Sequence, residues 1–294
     1  MTGVNPAGRP GAAKSLGTEH CPTSLIPCQF PDCQDDLPFP SRSYASPMKV
    51  LHGLRTVVLA PLFVIGTLAA SASIVIVSLI KRDTAIAERT VMGWSRFFLF
   101  LAGSHLEAAG REYVDPSKQY VFIANHISNL DIPVMFLATQ MPIRYLAKAE
   151  LFKIPIFKQA MEALGIVKVD RVKGAAIHSE VNAGVTAARA RGHSLIIFPE
   201  GTRSVTGDMS TFKKGAFRIA ITNQLDIVPV TIIGSWESWT PHSKIVTGGL
   251  IRAVVHEPIP VADLTLADMN ELRDRVHRII NDTYKEQRSA VVGH

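Results

Sequence analysis

The sequence predicts an α/β fold: a mainly parallel sheet flanked by helices, with an N-terminal membrane helix ahead of it. Three observations point there. Short apolar runs alternate with segments of helical period, the pattern of crossover units that build a parallel sheet. Polar clusters follow some of these runs directly, where α/β sheets place ligands. A long uncharged stretch precedes the alternation.

Residues 1–47 are rich in Pro, Gly and Ser without an apolar period and read as disordered. They also read as a leader upstream of a natural start at Met48, because MKVLHGLR looks like an N-terminus set before a hydrophobic run. Finding Met1 on the native protein excludes that alternative. Residues 48–105 form a membrane-associated helical segment. From 57 to 80 no residue is charged, and about 20 residues suffice to cross a bilayer core. Lys49 and Arg55 on one side and Lys81 and Arg82 on the other leave orientation open. Ala70-Ser71-Ala72 resembles a signal cleavage site, but the apolar run continues beyond it. A buried soluble helix is the remaining alternative. A shorter apolar stretch at 97–102, after Trp94 and Arg96, suits the interface.

Residues 106–262 form the α/β domain. Strands are expected at 120–124, 144–147, 166–169, 194–198 and 227–233, and helices at 132–139, 156–164, 175–190 and 214–223. Pro229 marks the last strand as an edge, or its start. Residues 263–294 form a C-terminal helix and tail. Thr265 and Asp268 give a start signal, and Met269, Leu272, Val276, Ile279 and Ile280 share one face.

Composition narrows the function. Hydrophobic residues make up 47% of the 294, and mean hydropathy is +0.18. The net charge of +6 suits nucleic acid, an anionic membrane surface or phosphorylated substrates. Aromatic residues are only 7%, with no aromatic-interleaved basic stripe for stacking bases, so no nucleic acid is expected. Cys21, Cys28 and Cys33 all precede residue 34, without zinc-site spacing. The main domain therefore uses no thiol nucleophile.

VFIANHISNLDIP, residues 121–133, carries the first chemistry. Residues five apart on a helix point about 140° away from each other. His126 and Asp131 meet only if the imidazole sits on the loop after a strand and the carboxylate at the next helix's start. Pro133 fits the first turn of that helix. The carboxylate then fixes one ring nitrogen and leaves the other as a base. Taken alone, the pair also reads as a polar loop residue and a helix cap.

FPEGTRS, residues 198–204, follows another strand. Gly201 permits close backbone approach, Arg203 can hold a phosphate by two parallel hydrogen bonds, Thr202 adds a donor, and Glu200 can orient Arg203 or a substrate hydroxyl. Lys213 and Lys214 add positive charge at a helix entrance. Arg171 closes a third strand and can join Arg203 or pair with Asp170. A solvated turn with surface charges is the plainer alternative.

NHISNLD (125–131), GIVKVDR (165–171), FPEGTRS and VPV (228–230), in that order, resemble the glycerolipid acyltransferase family, specifically the 1-acyl-sn-glycerol-3-phosphate acyltransferases. The resemblance covers roughly residues 90–260 and extends to 147–152 and 212–217. It implies transfer of a fatty acyl chain from acyl-CoA or acyl carrier protein to the sn-2 hydroxyl of lysophosphatidic acid. It implies His126 as general base, Asp131 as its orienting partner, and Arg171, Glu200, Gly201 and Arg203 around the acceptor's glycerol phosphate. No metal, cofactor or acyl-enzyme is expected, and the membrane is, with the catalytic domain on the cytoplasmic face. Ile127 replaces a common Gln, and Lys168 interrupts a strand that is usually more apolar. The rivals are acylation of another lysolipid or glycerol 3-phosphate, a hydrolase, and a non-enzymatic lipid-binding relative. No Gly-x-Ser-x-Gly elbow is present for a serine hydrolase.

Overall fold

The computed structural model describes residues 47–80, 84–169 and 176–292. The three cysteines, Lys81, Arg82, Asp170 and Arg171 lie outside the described residues. The elements run α1 (Pro47–Ile80), α2 (Thr84–Ala102), β1 (Ser104–Ala109), β2 (Val121–Ala124), α3 (Asp131–Thr139), β3 (Ile143–Lys148), α4 (Phe157–Leu164), β4 (Val167–Val169), α5 (Ala176–Ala190), β5 (Ser194–Ile197), α6 (Gly215–Asn223), β6 (Ile227–Ile233), α7 (Ser235–Ser238), β7 (Gly249–Val255) and α8 (Met269–Val292). The sheet order is β1-β7-β6-β2-β5-β3-β4. Every neighbouring pair is parallel except β6–β7.

Side-chain alternation along the strands divides the core into two layers. Phe122, Ala124, Val228, Val230 and Ile232 face α2 and α3 in one cluster. Val121, Ile123, Leu195, Ile197 and Ile227 face α5, α6 and α8 in the other. The central strands are buried on both sides and so read as unbroken apolar runs. Parallel pairing then gathers the carboxyl ends of β2, β3, β4, β5 and β6 at one end of the sheet.

The first two helices form a hairpin against this domain. Phe63 of α1, Phe98 of α2 and Trp239 pack together, Phe63 edge-on to Phe98 and Phe98 stacked on Trp239. Trp94 Nε1 donates to Thr67 Oγ1 at 3.1 Å. Residues 51–80 are long and apolar enough to cross a membrane, with mean hydropathy 2.4 and only 17% of the most apolar window buried. A second tie is polar. Arg144, 2% exposed, bonds Glu88 of α2, the Leu164 carbonyl and, at 3.0 Å, His193 Nε2.

Several expectations are corrected. Residues 97–102 form the end of α2, with Phe97 and Phe100 exposed. Pro229 lies in an interior strand, between β7 and β2. It falls in a gap between the β7 ladder, which begins at Val230, and the isolated Ile227–Ile259 bridge, and its carbonyl still accepts the His256 N–H. The last helix begins at Met269 rather than near Thr265, because Asp268 binds the Thr265 N–H and hydroxyl in a turn ahead of it. Two strands, β1 and β7, went unanticipated.

Candidate active site

Four loops meet at the carboxyl end of the sheet. β2 ends at Ala124, and Asn125 fixes the first loop by a two-way bond with β6: its amide donates to the Ile232 carbonyl and accepts the Ile232 N–H, both at 2.8 Å. His126 follows, and α3 begins at Asp131. His126 Nδ1 lies 2.8 Å from Asp131 Oδ2. That oxygen also accepts the N–H of Ile127 at 2.7 Å and of Ser128 at 2.8 Å. Oδ1 accepts the Ser235 hydroxyl at 2.7 Å. Asp131 is fully buried, so these donors replace the water it loses. Four bonds to one carboxylate hold the imidazole in a single orientation and leave Nε2 for other work.

The ring is fixed on its face as well. It stacks on Phe198 with centroids 4.2 Å apart and 19° between planes. Its backbone N–H donates to Glu200 Oε1 at 2.6 Å, and its carbonyl accepts the Ser204 N–H at 3.0 Å. The NHISNLD and FPEGTRS loops are thus stitched together on both sides of His126.

Glu200 occupies a different place from the one its sequence position suggested. It is 3% exposed, and its other oxygen accepts the Ser210 N–H and hydroxyl at 2.9 Å. Both oxygens hold loop backbone, and neither is bonded to Arg203. Burial pushes its pKa up, opposed by the bonds from His126 and Ser210.

His126, Gly201, Thr202 and Arg203 line one cleft of about 670 Å³. Gly201 has φ +75°, and a Cβ there would sit 2.6 Å from Lys213 Nζ. The left-handed turn is what favours glycine here, since the lysine end can move aside. Neither Lys213 nor Lys214 is among the residues lining the cleft: Lys213 stands beside Gly201, and Lys214 is exposed at the start of α6. Arg171 is outside the described residues, but Val169, two positions earlier, lines the cleft.

Three further residues escaped sequence reasoning. Lys148, at the end of β3, adds a cation to the cleft wall, and Asn129 adds an amide. Lys148 had a signal, a basic residue closing a strand. Ser235 had none in sequence, since it lies 104 positions from Asp131.

An acyltransferase family profile matches residues 105–233. The chain is 31% identical over 203 residues to the human 1-acyl-sn-glycerol-3-phosphate acyltransferase beta, covering 68% of this chain and 72% of that protein. The human alpha protein is 30% identical over 190 residues, 64% of this chain and 66% of its own length. A Cocos nucifera protein of the same description is 28% identical over 197 residues, 67% of this chain and 63% of its own. The chain therefore spans slightly under two thirds of the latter two relatives. The fold is also that of the crystal structure of the 1-acyl-sn-glycerophosphate (LPA) acyltransferase, PlsC, from Thermotoga maritima, with TM-score 0.67 at 23% identity over 81% of this chain and 95% of that one. On this identity and coverage, with the NHISNLD and FPEGTRS loops meeting at one cleft, the chain belongs to the 1-acyl-sn-glycerol-3-phosphate acyltransferase family.

Proposed function

We propose that the protein transfers a fatty acyl group from an acyl thioester to the free sn-2 hydroxyl of lysophosphatidic acid, forming phosphatidic acid. The observation that carries this reading is the buried, four-donor Asp131 holding His126 at the wall of a cleft that also bears Arg203 and Lys148. His126 Nε2 takes the hydroxyl proton as the oxygen attacks the thioester carbonyl. The carbon–sulfur bond then breaks, and the proton passes from the imidazolium to the departing thiolate. Ester and thiol are the products, without acyl-enzyme. A thioester is already activated, so one well-placed base suffices, a contribution of about 10²–10⁴-fold.

Arg203, with Lys148 and Lys213 nearby and Arg171 following β4, neutralises the acceptor phosphate and holds the hydroxyl at the base. Thr202 adds a donor, and Gly201 lets the loop approach. Glu200 serves this site from behind, by fixing the His126 backbone. The outward aliphatic surface of α1 embeds the enzyme in the bilayer that contains acceptor and product.

The test is a transferase assay of the full chain with lysophosphatidic acid and either acyl-CoA or acyl carrier protein thioesters, alongside glycerol 3-phosphate and other lysolipids as acceptors. Phosphatidic acid should form from at least one donor. Preference for an acceptor lacking phosphate would overturn the assignment of Arg203.

A further inference from the structure

The segment between β3 and α4 exposes aliphatic side chains beside the cleft. Leu151 is 37% exposed, Ile154 46% and Ile156 45%, with Lys153 among them. The backbone there is strained. Ile156 has φ +67° and ψ −50°, and the Phe157 N–H reaches the Pro155 carbonyl at 2.7 Å across it. This is a tight three-residue turn that side chains rarely adopt. Of the four non-glycine residues at positive φ among the described residues, Ile156 is the one that is β-branched, and such a residue is a genuine outlier there. A glycine would relieve the strain, and in water the isoleucine gains little for it.

The position of the loop says what covers these side chains. At one end, Leu151 borders the catalytic cleft. At the other, Phe157 borders a small apolar cavity together with Thr67 and Ala70 of α1. The loop thus bridges the cleft and the helix whose own surface exposes Val57, Val58, Leu79 and Ile80. Clustered exposed aliphatics mark a contact surface rather than a solvated one. Continuity with a helix long enough to cross a membrane favours lipid over protein. Lys153 suits the same setting, because its stem can lie along the acyl region while the ammonium meets anionic headgroups.

We infer that residues 151–156 form a second bilayer contact, separate from α1, which inserts Ile154 and Ile156 into the acyl region of the leaflet beside the mouth of the cleft. Its consequence, that a lipid acceptor reaches His126 without leaving the leaflet, rests on the proposed function; the insertion itself does not.

The test uses the full chain with Cys21, Cys28 and Cys33 changed to Ser. Single cysteines are introduced as Ile154→Cys, Ile156→Cys, Val58→Cys and, as an exposed control on α8, Glu271→Cys. Each is labelled with a nitrobenzoxadiazole fluorophore and mixed with phosphatidylcholine–phosphatidylglycerol vesicles, with and without a spin label on the acyl chain. The expected result is a blue shift and quenching at 154 and 156, as deep as at 58, with neither at 271. Aqueous emission at both 154 and 156 overturns the loop contact; a shifted label at 58 in the same experiment would leave the membrane reading of α1 standing. A shift that grows with protein concentration without vesicles means that a second copy covers the loop, and also overturns it.

Discussion

Asp131 concentrates the argument at the scale of single residues. Its two oxygens take four donors from two parts of the chain, residues 126–128 and Ser235, and removing one leaves the carboxylate less satisfied in a dry site. Ser235 is the donor that can be changed without touching the His126 loop. Gly234, at φ +83°, turns the chain out of β6 to present it. A hydrogen bond to a charged group is worth about 1.5–3 kcal/mol. Ser235→Ala should therefore lower kcat about tenfold with KM for the acceptor little changed, and shift the acid limb of the pH–rate profile. An unaltered kcat and profile would deny it a positioning role. Arg203→Ala has the complementary signature, a raised acceptor KM with a smaller effect on kcat, and an unchanged KM removes it from the phosphate site. The His126–Asp131 relation was legible in sequence because a five-residue gap suits a loop-to-helix contact. Ser235 was not, because only the fold brings β6 beside β2.

Elements explain the rest of what sequence did and did not disclose. The buried strands β2, β5 and β6 advertise themselves as apolar runs. By contrast, β1 reads SHLEAA, with half its residues exposed, and acquires its conformation from pairing with β7. Lys168, an anomaly in an apolar strand, is explained by its place on β4 at the sheet edge, with the side chain exposed. Ile127 is fully buried against Ile233 and Tyr284, so it serves packing under α8. Tyr284 in turn donates to the Gly207 carbonyl at 2.6 Å, which ties α8 to the loop following Arg203. The Glu88–Arg144 pair joins α2 to β3 across 56 positions, a link no sequence pattern announces. Breaking a buried pair strands the remaining charge. Glu88→Ala should cost about 3–5 kcal/mol of unfolding free energy, and the double variant Glu88→Leu with Arg144→Met much less than Arg144→Met alone. Equal losses in single and double variants, by denaturant titration in detergent, would show that the pair is not coupled.

For the whole molecule, the same junction makes stability depend on pH. His193 is 3% exposed. Burial, with Arg144 and Arg191 beside it, depresses its pKa from 6.5 to about 4. The unfolded chain takes up this proton near pH 6.5 and the folded chain only near 4. Between those values the unfolded state binds more protons, so the stability present above pH 6.5 is lost as pH falls toward 4. The loss is on the order of 3 kcal/mol. His193→Gln should flatten this part of the stability curve; a slope identical to that of the parent would assign it to other groups. Burial depresses His256 in the same direction, so some slope should persist.

The central claim is that His126, oriented by Asp131, is the base of an acyl transfer. Its most direct test is single-turnover acylation of lysophosphatidic acid by His126→Ala, with lysophosphatidic acid binding and thermal unfolding measured on the same preparation. The account predicts a loss of at least 10²–10⁴-fold in the chemical step, with acceptor affinity and unfolding temperature close to those of the parent. Turnover within a few-fold of the parent in that folded, acceptor-binding variant would contradict it.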